Sequence, residues 1–197
     1  MSEPLVFQHG TAATAFDVAL GGWAAFEVAM GVRQRLRLAG RPARDPTGLV
    51  LTICIGAAIL AALRIGRASP LPWPGGQAWP VVVGLVSIGL GVGLRAWSIA
   101  TLGRFFQYRI EVQAGHRVVT GGPYHYVRHP SYTGIALVLV GVALATGDVL
   151  GLAAVAVLGA AGLAVRIRAE ERRLTDALGA QYQRSAAERK RLVPGVW

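Results

Sequence analysis

The chain has 197 residues, 53% of them hydrophobic and 15% charged, with a mean hydropathy of +0.47 and a formal net charge of +10. Soluble domains usually carry about 25% charged residues, so an ordinary water-facing surface is excluded, and the apolar content excludes disorder. The single cysteine, Cys54, excludes a disulfide scaffold, and the length does not suit a two-domain soluble enzyme.

Five apolar segments follow in chain order: Thr11–Val32, Gly48–Ile65, Ala78–Leu102, Ser131–Thr146 and Val149–Val165. A spanning helix takes roughly 17–25 residues, so the last two are expected to continue into their flanks. The first carries Asp17 and Glu27, each about five residues from an end, where charge costs less than at the bilayer centre. Ser2 and Glu3 stand where a cleaved signal would need basic residues. Between the second and third segments, Pro70, Pro72, Pro74, Gly75 and Gly76 with Trp73 and Trp79 read as a stiff interfacial loop. Gly89 and Gly93, four apart in the third segment, are read as a close helix-packing site. The run from Val149 to Leu178 contains no proline and keeps strong helix formers, so the last span should continue past the membrane to Gly179. Arg166 and Glu170 then share one face of it.

Lys and Arg fall almost wholly in the gaps. Residues 33–47 hold five, 103–130 hold four and the tail from 166 holds eight, while residues 1–10 hold none and 64–77 hold two. This placement argues against nucleic-acid binding and reads instead as a topology signal. Cytoplasmic loops carry the basic excess, so the amino terminus is expected outside and the carboxy terminus in the cytoplasm. The expected fold is an all-α polytopic membrane protein of about five transmembrane helices. Residues 1–197 form one membrane domain: three amino-terminal spans over 11–102, then a motif region over 103–197.

Polar chemistry concentrates at 105–132 and 166–197. The stretch from Gln113 to Gly134 holds three His, three Tyr and two Arg before a rigid Pro130. Loops held on a scaffold are common homes for binding residues, although a basic loop of this kind also suits lipid headgroups. A metal site is disfavoured because Pro130 opposes helical geometry at His129 and no acid accompanies the His125/His129 pair. No nucleophile motif or Rossmann phosphate loop is present in the sequence.

Gly122-Pro123-Tyr124-x-Tyr126-x-Arg128-His129-Pro130-x-Tyr132-x-Gly134, followed by Glu170-Glu171, Gly179, Tyr182 and Pro194-Gly195, resembles the isoprenylcysteine carboxyl methyltransferase family from about Leu94 onward. Leu178 stands before Gly179 where the family often has an aromatic. The resemblance implies an integral membrane enzyme that moves a methyl group from S-adenosylmethionine to a lipophilic acceptor, most simply a carboxylate. It places cofactor contacts on Gln113, His116, Val118, Val119, Tyr124, His129, Tyr132 and Glu170, sets Arg166 toward the acceptor, and gives Arg128 to the cofactor loop or the substrate. Such chemistry suits the residues. Tyr faces attract a sulfonium, a carboxylate such as Glu170 pairs a cationic amino group, and an anionic acceptor needs no general base.

Glu171 is expected on a solvated helix face, and Arg172, Arg173, Arg189, Lys190 and Arg191 facing water or headgroups. Expected partners are membrane lipids and a lipidated or lipophilic small-molecule substrate, with no metal and no nucleic acid. The Ala-, Gly- and Arg-heavy composition suggests a bacterial plasma membrane, with the site facing the cytoplasm. Two other readings stand beside this one: a membrane reductase using NADPH, which shares an Arg-His-Pro-like stretch, and a non-enzymatic lipid-binding or assembly protein.

Overall fold

The computed structural model describes residues 4–37, 45–68, 71–107 and 118–195. Within them the fold is all-α: α1 (Thr11–Arg37), α2 (Pro46–Ala68), α3 (Ala78–Leu102), α4 (Pro130–Ala145), α5 (Val149–Leu178) and α6 (Ala180–Glu188). Among the described residues four helices, α1, α2, α3 and α5, are long and apolar enough to cross a membrane. The chain is a polytopic membrane protein.

The fourth of the five expected spans is instead a shorter apolar helix, α4, and it does not continue into its flanks. Pro130 starts α4 as its first residue and Gly147, at φ 81°, ends the turn that follows it. Its 16 residues rise about 24 Å against a hydrocarbon core of about 30 Å. Most of it is covered by protein: Ile135, Val138, Leu139, Val142 and Ala143 are all buried.

Close packing against α3 explains how α4 is covered. A Cβ on Gly84 would lie 2.6 Å from the Gly141 carbonyl oxygen, and one on Gly141 would lie 2.6 Å from that of Gly84. Gly91 and Gly134 repeat this pair seven residues along, at 2.6 and 2.7 Å. Without a hydrophobic driving force between helices, such small-residue seams let backbones approach and gain dispersion contact. The glycines expected to do this do not: Gly89 and Gly93 have open space around their Cβ positions. The four-residue spacing was real, but it sits on the wrong face of α3. Gly91→Ala is therefore expected to cost about 1–3 kcal/mol through backbone collision, whereas Gly89→Ala leaves the melting temperature in detergent unchanged or slightly raised.

At the opposite end of the bundle from the arginine-rich loops, Asp148 is fully buried and caps α5. Its Oδ1 accepts from the Leu150 and Gly151 amides at 2.8 and 3.3 Å, and its Oδ2 from the Leu71 amide at 2.7 Å. One carboxylate thus satisfies a helix start and ties down the Pro-rich loop.

As expected from its composition, α5 continues unbroken from Val149 to Leu178 and stops at Gly179, whose φ of 53° suits glycine. α6 follows, and the chain beyond it returns beside the entrance to α4. The Arg128 amide donates to the Lys190 carbonyl at 2.8 Å and the His129 amide to that of Arg191 at 3.0 Å. The Thr133 hydroxyl donates to the Leu192 carbonyl at 2.9 Å. The carboxy-terminal segment is thereby fastened across the arginine-rich end.

Candidate active site

A cavity of about 630 Å³ opens at that same end, lined by residues of all six helices and by the 118–129 segment. Its size lies within the range of small-molecule and cofactor sites. One wall is apolar, built from Leu51, Ile55, Ile135, Leu174 and Leu178 with Phe105 and Phe106. The other carries the charged groups.

α5 supplies Arg166 and Glu170 one turn apart, and α4 supplies Tyr132 between them. The Tyr132 hydroxyl donates to Glu170 Oε2 at 2.6 Å and accepts from Arg166 Nε at 3.1 Å. Arg166 is 2% exposed. Its NH1 donates to the Asp45 carboxylate and, at 2.9 Å, to the Thr47 hydroxyl. Burial alone would push the Asp45 carboxyl up, but the hydrogen bonds from Arg166 and Thr47 hold it down at about 2. The pair is therefore ionised throughout the working pH range.

Tyr124 sits in a 3-10 turn over Gly122–His125 and is 8% exposed. Burial, then the negative charge of Glu170, raises its phenol well above the usual value, so it remains a protonated donor. Gly122 permits the turn: its φ is 56°, and a Cβ there would meet the Thr101 hydroxyl at 2.9 Å.

Glu171 is not the solvated residue expected from its helix position. It is the hub of the floor: His129 Nε2 lies 3.3 Å from it, Arg128 NH2 3.2 Å, and Arg191 donates through Nε and NH2 at 3.0 and 2.8 Å. Arg191, a third exposed, is accordingly an ion-pair partner of Glu171 and not simply a group facing water or headgroups. Arg189 is likewise turned inward, donating to the Ser185 hydroxyl at 2.9 Å and the His125 carbonyl at 3.2 Å. The returning tail creates these partners, and no local periodicity could show them.

A second buried ion pair lies deeper, between spanning segments. Arg95 of α3, 3% exposed, donates through Nε and NH2 to the Glu27 carboxylate of α1 and through NH1 to the Ser131 hydroxyl at 2.7 Å. Of the two, only Glu27 was singled out from the sequence, and its partner was not. The signal was available, since an ionisable residue inside a span calls for a partner of opposite sign.

Of the residues singled out by sequence, Arg128, Arg166, Val118, Val119, Tyr124, His129, Tyr132 and Glu170 all line this one cavity. Gln113 and His116 lie outside the described residues. Glu27, Asp45, Arg95, Ser131 and Glu171 were the site residues missed.

The donor set also fits a small zwitterionic cofactor with excess positive charge. Glu170 accepts from Tyr132 and has no cationic partner among the described residues, whereas Glu27, Asp45 and Glu171 each hold an arginine. The Tyr182 hydroxyl and Arg128 Nε, on cavity-lining side chains, are buried without a hydrogen-bond partner among the described residues. Buried polar atoms are normally satisfied, so these mark where a polar ligand or water completes the site.

An all-α membrane protein with an open, charged, cofactor-sized site at one membrane face is the class these features define. The sequence profile of the isoprenylcysteine carboxyl methyltransferase family matches residues 82–176. Protein-S-isoprenylcysteine O-methyltransferase A of Arabidopsis thaliana is 31% identical over 140 residues, covering 69% of this chain and 71% of that protein. Protein-S-isoprenylcysteine O-methyltransferase B of the same species is 37% identical over 106 residues, or 53% of this chain, which spans about half (54%) of that relative's length. YpbQ of Bacillus subtilis, an uncharacterized protein, is 26% identical over 132 residues, 66% of this chain and 74% of that one. The chain belongs to the isoprenylcysteine carboxyl methyltransferase family, a family of membrane O-methyltransferases.

Proposed function

We infer that this protein transfers a methyl group from S-adenosylmethionine to a carboxylate on a lipophilic or lipidated acceptor. The observation that carries the reading is Glu170: a cavity-facing carboxylate with no cation of the described chain to neutralise it. Glu170 is partly buried, and a charge withdrawn from water without a counter-ion is costly; a ligand with net positive charge removes that cost. Residues 1–197 act as one membrane domain. The Lys/Arg excess of its loops supports a cytoplasmic cavity and carboxy terminus, with the amino terminus outside. Composition points to a bacterial plasma membrane.

S-adenosylmethionine, when bound, supplies an electrophilic methyl group on a sulfonium. Glu170 holds the cationic part of the cofactor, and the faces of Tyr124 and Tyr132 favour the sulfonium. His129, Gln113 and His116 address its ribose and carboxylate, while backbone groups of Val118 and Val119 address the adenine edge. Arg166 takes the acceptor carboxylate, and Arg128 braces the cofactor loop through Glu171. A carboxylate oxygen is already a nucleophile at neutral pH, so no side chain has to remove a proton. The protein's contribution is alignment and exclusion of water. The apolar wall of Leu51, Ile55, Ile135 and Leu174 receives the acceptor's lipophilic part.

Titration calorimetry of the detergent-purified chain is expected to give micromolar binding of S-adenosylmethionine and S-adenosylhomocysteine and none of NADPH. Binding of NADPH alone overturns this reading in favour of a reductase. Binding of none of the three leaves only a lipid-binding protein.

A further inference from the structure

Both buried arginines of the cavity arise within the family-matched residues 82–176, and both acids that hold them arise before it. Glu27 comes from α1. Asp45 comes from the residue that precedes α2, 121 positions from its partner Arg166.

Asp45 does two things at once. Its Oδ1 caps α2, accepting from the Thr47 hydroxyl at 2.8 Å and the Gly48 amide at 3.2 Å. Its Oδ2 lies on Arg166 NH1. The cap does not require the charge, because asparagine caps helices as well as aspartate does. The contact with Arg166 does use it. Gly48 then leaves the cavity side of the pair uncovered: it lines the cavity, and a Cβ there would stand 3.3 Å from Asp45 Oδ2 and 3.5 Å from Arg166 NH1.

We propose that Asp45 is a displaceable counter-ion, the chain's own occupant of the position on Arg166 that the acceptor carboxylate takes. This rests on the functional reading above, in which Arg166 receives the acceptor. A tethered carboxylate competes at high effective concentration, so a small anion from the cytoplasm does not dislodge it. An acceptor with a long apolar tail brings the extra binding free energy that exchange requires. Selectivity thus comes from an internal competitor as well as from the apolar wall.

The same exchange favours product departure. Methylation forms the O–CH3 bond from a carboxylate lone pair as the S–CH3 bond breaks, the bonding pair of that bond staying on sulfur to give the neutral thioether. The carboxylate becomes an uncharged ester, which no longer competes for a guanidinium. Asp45 then returns to Arg166.

The test compares wild type with Asp45→Asn, which keeps the cap and loses the charge. Full-length protein in detergent is saturated with S-adenosylhomocysteine, and binding of S-farnesyl-N-acetylcysteine and of its methyl ester is measured. Asp45→Asn is expected to tighten the free acid about tenfold and to change the ester by less than about twofold. Asp45→Ser, another good cap, should behave alike. An acid affinity that is unchanged or weaker, an ester that tightens equally, or no binding of the acid to either protein overturns the proposal. Affinity for S-adenosylhomocysteine itself, measured first, reports separately on the methyltransferase reading. Should it fail, the acid and ester titrations without it still decide the role of Asp45.

Discussion

Replacing Glu170 by glutamine is expected to weaken S-adenosylmethionine binding about 100-fold, equivalent to about 2.7 kcal/mol. Glutamine keeps the side-chain length and can still accept from Tyr132, so the variant isolates the charge. Hydrogen bonds and ion pairs to a charged, desolvated group contribute about 1.5–3 kcal/mol or more, and Glu170 is the one cavity-lining acid whose charge the described chain leaves uncompensated. S-adenosylhomocysteine lacks the sulfonium and should lose less, about tenfold. The ratio of the two losses, read by calorimetry, locates the charge that Glu170 serves. A loss below about threefold for S-adenosylmethionine would remove Glu170 from the cofactor site.

The second large effect concerns stability. Glu27→Ala is expected to destabilise the protein by about 3–5 kcal/mol, because it removes the carboxylate that compensates a guanidinium buried between spans. For a chain of this size that corresponds to a fall of roughly 10 °C in melting temperature. Arg95 lies 3% exposed on α3, out of reach of bulk solvent. Glu27→Leu combined with Arg95→Met should recover most of the loss, since a packed apolar pair often matches a buried ion pair. Thermal unfolding in detergent distinguishes the cases. A single variant that melts with wild type would show that α1 is not held to α3 through this pair.

Other features of the fold bear on how far the sequence could be read. The third span was predicted to run over Ala78–Leu102 and α3 has those bounds. The extension of the last span to Leu178 and its stop at Gly179 were also correct. Both follow from apolar run length and from residues that break or continue helices, which are local properties. The cluster of Tyr124, His129, Tyr132, Arg166 and Glu170 was legible through a motif, and the cavity gathers all five.

What failed shares one cause. Gly89 and Gly93 have a helix-packing spacing, yet Gly84 and Gly91 make the contact with α4. Glu171 occupies a helix position that would ordinarily face solvent, yet the returning tail brings Arg191 onto it. Helical periodicity says which residues share a face. It does not say which neighbour covers that face.

Length, hydropathy and helix-breaking residues by themselves determined an all-α membrane protein, the bounds of α3 and the end of α5, while the residues of the 122–134 motif carried the family. Those properties depend on free energies of transfer and on backbone preferences, both set by short windows of residues. Tertiary structure alone decided the partners: Asp45 on Arg166, Glu27 on Arg95, and Glu171 among Arg128, His129 and Arg191. A buried charge must meet its opposite in space, and the separation of 121 positions in the first case carries no signal of that meeting. Only the packing of the helices brings them together.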